Sequence, residues 1–185
     1  MKTLLSVTAC LLAALSACSS AEPEYYTLSS VAGHLYTDKT VMVKVRRPVI
    51  PLTLDRPEMV SKNGEFRIHE HENRLWSEPL DTMIERILAD DLRTRLNRST
   101  VVTESSGISI KAAYILDVDI QQFGTDENGN AILQAQGLMR RQNEKDIALP
   151  VMLHGPRATP GEPMAKALSI LLGEFADNAA SALNH

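Results

Sequence analysis

His69 and His71 stand two apart in the stretch Phe66-Arg-Ile-His-Glu-His-Glu-Asn-Arg-Leu-Trp76, with carboxylates interleaved. On a β-strand, residues i and i+2 share a face, so both imidazoles could reach one metal ion. A protein zinc site needs three or four ligands, and the other histidines do not supply them. His34 and His154 fall in stretches that read as loops, and His185 is the last residue. Glu70 and Glu72 point to the opposite face of the same strand. The pattern favours a solvated or partner-facing strand and no metal. Asp117 and Asp119 pose a second question, since paired carboxylates on one strand face can do acid/base or hydrolytic work. Nothing completes such a site. The chain has no nucleophile elbow, no His-Glu-x-x-His, no phosphate-cradling glycine loop, and no serine with a histidine and acid at recognisable spacing. We expect neither an enzyme nor a cofactor.

The elements that must position these residues follow from periodicity. Val41, Val43 and Val45 alternate with polar or longer residues, the period of a half-buried strand, and Pro48 and Pro51 end it. Glu58 to Lys62 and Glu65 to Glu72 flank Asn63-Gly64, which predicts a hairpin with a two-residue turn. His69 and His71 would lie on its second strand, on the face opposite Phe66 and Ile68. Ser77-Glu78-Pro79 predicts a helix start with a serine cap and proline in the first turn. Leu80, Met83, Ile84, Ile87, Leu88, Leu92 and Leu96 then form one apolar stripe, with Asp81, Glu85, Asp90, Asp91, Arg93 and Arg95 facing elsewhere. Ala112 to Phe123 and Ala131 to Arg141 alternate around a loop rich in Asn, Asp and Gly, and should pair antiparallel. A strand from Asp146 to Leu153, interrupted by Pro150, belongs at an edge. After a breaker-rich loop from His154 to Gly161, Met164, Leu168, Leu171, Leu172, Phe175, Ala179 and Leu183 repeat at helical spacing. The fold class is α/β (α+β): a sandwich with a mixed, largely antiparallel sheet and two main helices packed on it. Arg46-Arg47 and Arg140-Arg141 close two strands and are candidate contacts for anionic head groups or an acidic partner, beside the plainer reading as solvated strand ends.

The N-terminus sets the compartment. Met1-Lys2-Thr3 is a short cationic lead, and the apolar run Leu4 to Leu15 falls short of the roughly 20 residues that span a bilayer. It reads as an export signal. Leu15-Ser16-Ala17-Cys18 resembles the lipobox of bacterial lipoproteins, and that resemblance implies cleavage before Cys18 and acylation of its thiol and new amino group. The expected organisation is a signal peptide over 1–17, an acylated tether over 18–24 and a single periplasmic domain over 25–185. An ordinary secretory signal, leaving Cys18 free, is the alternative. The other cysteine, Cys10, lies in the segment removed, so the mature domain would have no disulfide and must rest on its core. Loss of Lys2 takes Lys+Arg from 19 to 18 against 23 Asp+Glu, so the formal charge moves from -4 to -5. An acidic domain of this kind is no nucleic-acid binder. A tether of about seven residues spans at most roughly 25 Å, which would hold the domain close to its membrane. Ser19, in the position where bacterial lipoproteins generally carry either serine or aspartate, points to the outer membrane.

Several stretches together resemble the ABC-type transport auxiliary lipoproteins, the PqiC-like family. They are the lipobox at Cys18 with Tyr26 and Leu28 close behind; Pro51, Leu54, Arg56 and Pro57 in Pro51-Leu-Thr-Leu-Asp-Arg-Pro57; and Trp76, Pro79 and Leu80 in Leu75-Trp-Ser-Glu-Pro-Leu80. The resemblance covers nearly the whole mature chain. It implies a non-catalytic accessory of an envelope lipid-transport system, partnered by an MCE-domain protein and its membrane permease, anchored in membrane lipid through Cys18. Trp76 would plug the strand-to-helix corner, and no metal is expected at His69 and His71. The resemblance leaves homo-oligomerisation open. A lipoprotein assembly factor or pilotin for another outer-membrane component is the alternative, and a periplasmic lipid carrier would require an internal apolar cavity.

Overall fold

The computed structural model describes residues 22–36, 40–141 and 145–183. Ten elements follow in chain order: β1 (Glu24–Tyr26), β2 (Met42–Val45), β3 (Glu58–Lys62), β4 (Ile68–Trp76), α1 (Leu80–Arg95), β5 (Thr100–Thr103), β6 (Tyr114–Thr125), β7 (Asn130–Arg141), β8 (Ile147–Arg157) and α2 (Glu162–Ala182). The strands divide between two sheets, a three-stranded one in the order β1-β4-β3 and a five-stranded one in the order β5-β2-β6-β7-β8. β1 runs parallel to β4, and β2 runs parallel to both β5 and β6. The remaining pairs are antiparallel. The mixed α+β class expected from the sequence is the one observed. Among the described residues no helix is long and apolar enough to cross a membrane.

The apolar stripe of α1 is buried along its whole length, as its spacing requires, and packs against α2 and β5. α2 lies on β6, β7 and β8, burying Met164, Leu168, Leu171, Leu172 and Phe175. β6 and β7 form the antiparallel pair, and Pro150 sits in β8 at the sheet edge, where no further strand needs its missing N–H.

Four sequence expectations are corrected. The β3–β4 turn is wider than two residues: Lys62 pairs with Ile68, and the Asn63 N–H donates to the Arg67 carbonyl at 2.9 Å, closing a loop over 63–67. Gly64 takes φ 78° in that loop, the left-handed conformation that favours glycine. Ser77 does not cap α1. The cap position is Pro79, two residues further on, whose carbonyl accepts from the Met83 N–H at 3.0 Å, and no side chain caps the helix; the Ser77 backbone instead closes the join to β1, its N–H donating to the Tyr26 carbonyl at 2.8 Å. β8 runs on to Arg157, so His154 and Pro156 lie in a strand; the extension stays paired with β7 through Asn130 and Ile132. Finally, Glu85, Asp91 and Arg95 do not face solvent but are buried.

The reason is that α1 is covered on a second side. Residues 27–36 cross the two helices, and Arg95, 1% exposed, holds them there. Its Nε–H donates to Asp177 Oδ1 at 2.7 Å and one Nη2–H to Asp177 Oδ2 at 3.1 Å. Nη1 donates to the carbonyls of Val31 at 2.8 Å and Asp91 at 3.1 Å, and Nη2 donates again to Gly173 at 2.9 Å. All five guanidinium donors are thereby used. Asp91 Oδ1 accepts from the Ser30 hydroxyl and the Val31 N–H, both at 2.7 Å, while the Tyr36 N–H donates to the Arg95 carbonyl at 2.7 Å. Gly33 passes so near that a Cβ there would fall 2.1 Å from Arg95 Nη2. A side chain at that position has no room while the guanidinium stays bonded.

Burial pushes the Asp177 carboxyl up, but hydrogen bonds from Arg95 and the His34 N–H, with the Arg95 charge, outweigh it and hold the group below its ordinary value of 3.8. Burial also raises Asp91, and there it prevails over the bonds from Ser30 and Val31. Arg95→Ala leaves Asp91 and Asp177 without their cation and is expected to cost about 3–5 kcal/mol in urea denaturation. A depressed carboxylate contributes stability above its unfolded pKa and loses it as pH falls through its folded pKa. The stability gap between wild type and Asp177→Asn should therefore be full near neutral pH and shrink as pH drops below about 4, read by thermal unfolding at a series of pH values.

Candidate docking surface at the chain entry

Cys18 lies outside the described residues, and the domain begins where β1 joins β4. Glu24 pairs in register with Arg74, and Tyr26 with Trp76. Arg74 forms an ion pair with Glu24 and donates to the Tyr26 hydroxyl at 3.0 Å, with its guanidinium 5.9 Å from the Tyr26 ring centre. The Tyr26 hydroxyl donates to the Glu24 carboxylate. That bond, followed by the one from Arg74, draws the Glu24 carboxyl below its usual range. The short first strand is thus fixed by backbone pairing and by a three-residue polar cluster.

Directly behind the cluster, the motif residues converge on one corner. The Trp76 N–H donates to the Pro57 carbonyl at 2.7 Å, and the Ser77 N–H donates to Tyr26, joining β1, the start of β3 and the entry to α1. Trp76 is 5% exposed, and Leu28, Leu54 and Leu80 are buried in the same core. The Leu28 N–H points at Met83 Sδ, 3.1 Å away. The Pro51 carbonyl accepts from the Leu54 N–H at 2.8 Å, a tight turn that sets up the ion pair of Arg56 with Glu70 on β4.

His69 and His71 do share a face, with ring centres 4.5 Å apart in an edge-to-face arrangement. Nε2 of His71 lies 2.8 Å from the Ser61 hydroxyl. Burial, helped by the charges of His69 and Arg74, lowers the His71 pKa. With Glu22, Glu24 and Arg74 the pair lines a shallow depression beside the chain entry. Among the described residues no group of three or more His, Cys, Asp or Glu could hold a metal. Asp117 lines one depression with Asp119, and it is the shared partner of two arginines. Arg46 Nη1 lies 3.3 Å from its Oδ1, and Arg140 bonds its Oδ2. Arg46 also reaches Glu104 at 3.5 Å.

Arg47 approaches Asp81 at 3.8 Å and the buried Glu85 at 4.0 Å, and Arg141 donates to the Ala182 carbonyl at 3.0 Å with its guanidinium 5.7 Å from the Tyr114 ring. One arginine of each pair, Arg46 and Arg140, thus meets its counterpart at Asp117 on β6, a convergence that only the β2–β6–β7 order creates. Asp117 lies roughly 23 Å along β6 from Gly124 at about 3.3 Å per residue. At Gly124, β3 crosses so closely that a Cβ would meet the Val60 carbonyl oxygen at 2.9 Å. The arginines therefore lie far along β6 from the point where the three-stranded sheet crosses it. Beside that crossing, Leu54, Val60, Ile68, Phe123 and Ile132 line a groove of about 170 Å³. That is smaller than the roughly 300–1,000 Å³ of ordinary small-molecule sites.

The ABC-type transport auxiliary lipoprotein component family model matches residues 26–180, a span that includes the whole corner and both helices. The chain belongs to this family. Two crystal structures share its fold. One, of an uncharacterized protein, is 20% identical, with a TM-score of 0.74 over 88% of this chain and 99% of the other. The second, a DUF330-family protein from Xanthomonas campestris, is 14% identical, with a TM-score of 0.67 over 88% of this chain and 94% of the other. No curated protein sequence matches. The family is an auxiliary component of ABC-type transport.

The corner and the arginine cluster should respond differently to mutation. Trp76→Ala empties a buried site joining four segments and is expected to lose about 3–5 kcal/mol. Arg140→Ala removes one exposed member of a surface ion pair and should stay within about 1 kcal/mol of wild type. Urea denaturation of both variants checks the contrast.

Proposed function

We propose that this auxiliary lipoprotein is a non-catalytic, outer-membrane accessory of an ABC/MCE-type, Pqi-like lipid transport system. It supports membrane integrity by docking the transporter at the membrane. The observation that carries the reading is the length between Cys18 and the fixed strand β1. Glu24 is already paired with Arg74, so the slack between a lipid on Cys18 and the folded domain is six residues, at most about 22 Å. A domain held that near one membrane cannot cross the periplasm, so the MCE protein and its permease must reach it.

In this reading Cys18 carries the acyl anchor and no other cofactor is required. Arg46, Arg47, Arg140 and Arg141, each set against carboxylates or a carbonyl of the domain itself, are the candidate contacts for an acidic surface of the arriving partner. Their own ion pairs orient the guanidinium groups and leave several about half exposed.

Inserting about twenty flexible Gly/Ser residues between Ser20 and Glu22 would let the domain drift by tens of ångströms. We expect loss of detergent resistance in cells, with unchanged thermal stability and acylation. Full function with the long spacer would overturn the docking role. Affinity capture from crosslinked envelopes, with Cys18→Ser as control, should recover an MCE-domain protein with the acylated form alone. Recovery of a barrel or secretin independent of Cys18 would support the assembly-factor role instead.

A further inference from the structure

Phe66, at the β3–β4 hairpin tip, is 90% exposed, and Ile68 beside it is 53% exposed. The two are near neighbours in sequence on a projecting loop, which distinguishes them from apolar residues exposed singly. The direction of the chain bears on what they meet. Because β1 is parallel to β4 and Glu24 pairs with Arg74, the chain enters β1 from the side of β4 that leads to the hairpin tip. Glu22 lies on that side, lining the same depression as His69 and His71. From Arg74 back to Ile68, β4 extends six residues, roughly 20 Å at about 3.3 Å each. From Glu24 back to Cys18 is also six residues, at most about 22 Å. The tether's greatest reach and the hairpin overhang are therefore nearly equal.

We propose that the hairpin tip is a second membrane contact, seating Phe66 in the phospholipid surface beside the acyl anchor. Arg67 follows the aromatic residue and Lys62 stands at the end of β3, where both would meet lipid phosphates, with Glu65, directly before Phe66, the one acidic residue of the loop. The tip is suited to this. The bond from the Asn63 N–H to the Arg67 carbonyl closes the loop, so little ordering is required on contact. The second contact, set apart from the anchor, would stop the domain from swinging freely on its tether and fix which face it turns to the periplasm. This inference rests on acylation of Cys18.

The test uses the full mature protein reconstituted in vesicles of phosphatidylethanolamine and phosphatidylglycerol. Phe66→Cys and, as control, Gly107→Cys carry an environment-sensitive nitrobenzoxadiazole label. Gly107 is exposed in the loop after β5, which follows the strand end near Arg46. We expect blue-shifted emission and quenching by nitroxide lipids at position 66 and water-like emission at 107. Water-like emission at both positions in a protein of acylated mass would overturn the tip contact and leave the anchor standing. A mature mass without acyl chains would instead overturn the anchor reading. A blue shift at 66 that persists without vesicles, together with self-association in sedimentation, would assign the tip to a second copy of the chain and overturn the membrane contact. Phe66→Glu, which alters only an exposed side chain, should abolish the quenching of a label at position 67 (Arg67→Cys) without shifting the melting temperature; unchanged quenching would also overturn the proposal.

Discussion

The buried Arg95 guanidinium is the constraint on which the upper layer of this fold depends. A fully desolvated cation is tolerable only if its donors are satisfied and its charge is balanced, and both conditions are met by groups from three separate parts of the chain. Val31 comes from the segment after β1, Asp91 from α1, and Asp177 with Gly173 from α2. No single pair could satisfy it. The two helices and the crossing segment must therefore take one relative arrangement, and Gly33 is needed where the backbone rests against the guanidinium. Such a network acts more on the uniqueness of the packing than on its gross stability, which comes from the apolar interface of both helices with the sheet.

The same strap connects the fold to function. The segment that Arg95 holds begins at β1, which is itself fixed by parallel pairing, by the Glu24–Tyr26–Arg74 cluster and by the Ser77 N–H bond to Tyr26. The residues of β1 are consequently not a loose tail leading to a domain but an exposed strand bonded into its sheet. Any anchor upstream would transmit its position directly to the corner at Trp76. An accessory that must present one face to a partner benefits from this, since every residue of slack widens the volume that the domain explores.

Much of the site was legible because it is local. The Trp76-x-x-Pro79-Leu80 join sits where strand period gives way to helical period, and the structure places it at that corner. The alternation on both sides of the 126–129 loop specified the β6–β7 hairpin, and Pro150 specified an edge. The arginine pairs were visible as residues, but not the meeting of Arg46 with Arg140 at Asp117, which requires β2 and β7 to flank β6. Ser77 does not cap because the helix begins two residues later, after Pro79, and the strand through His154 is hidden from local reading because breakers give no information about an available partner edge.

What the sequence determined by itself is whatever follows from neighbours along the chain: two amphipathic helices, the alternating strands, the breaker positions and the motif residues of the family. Tertiary structure alone decided the division into two sheets, the parallel β1–β4 and β2–β5 pairings, and the inward orientation of Glu85, Asp91 and Arg95. The physical reason is the same in each case. Periodicity reports which side of an element is apolar, and it places charged residues on the side presumed to meet water. Whether a second layer covers that side, and brings a carboxylate or a carbonyl to each buried donor, depends on segments tens of residues away.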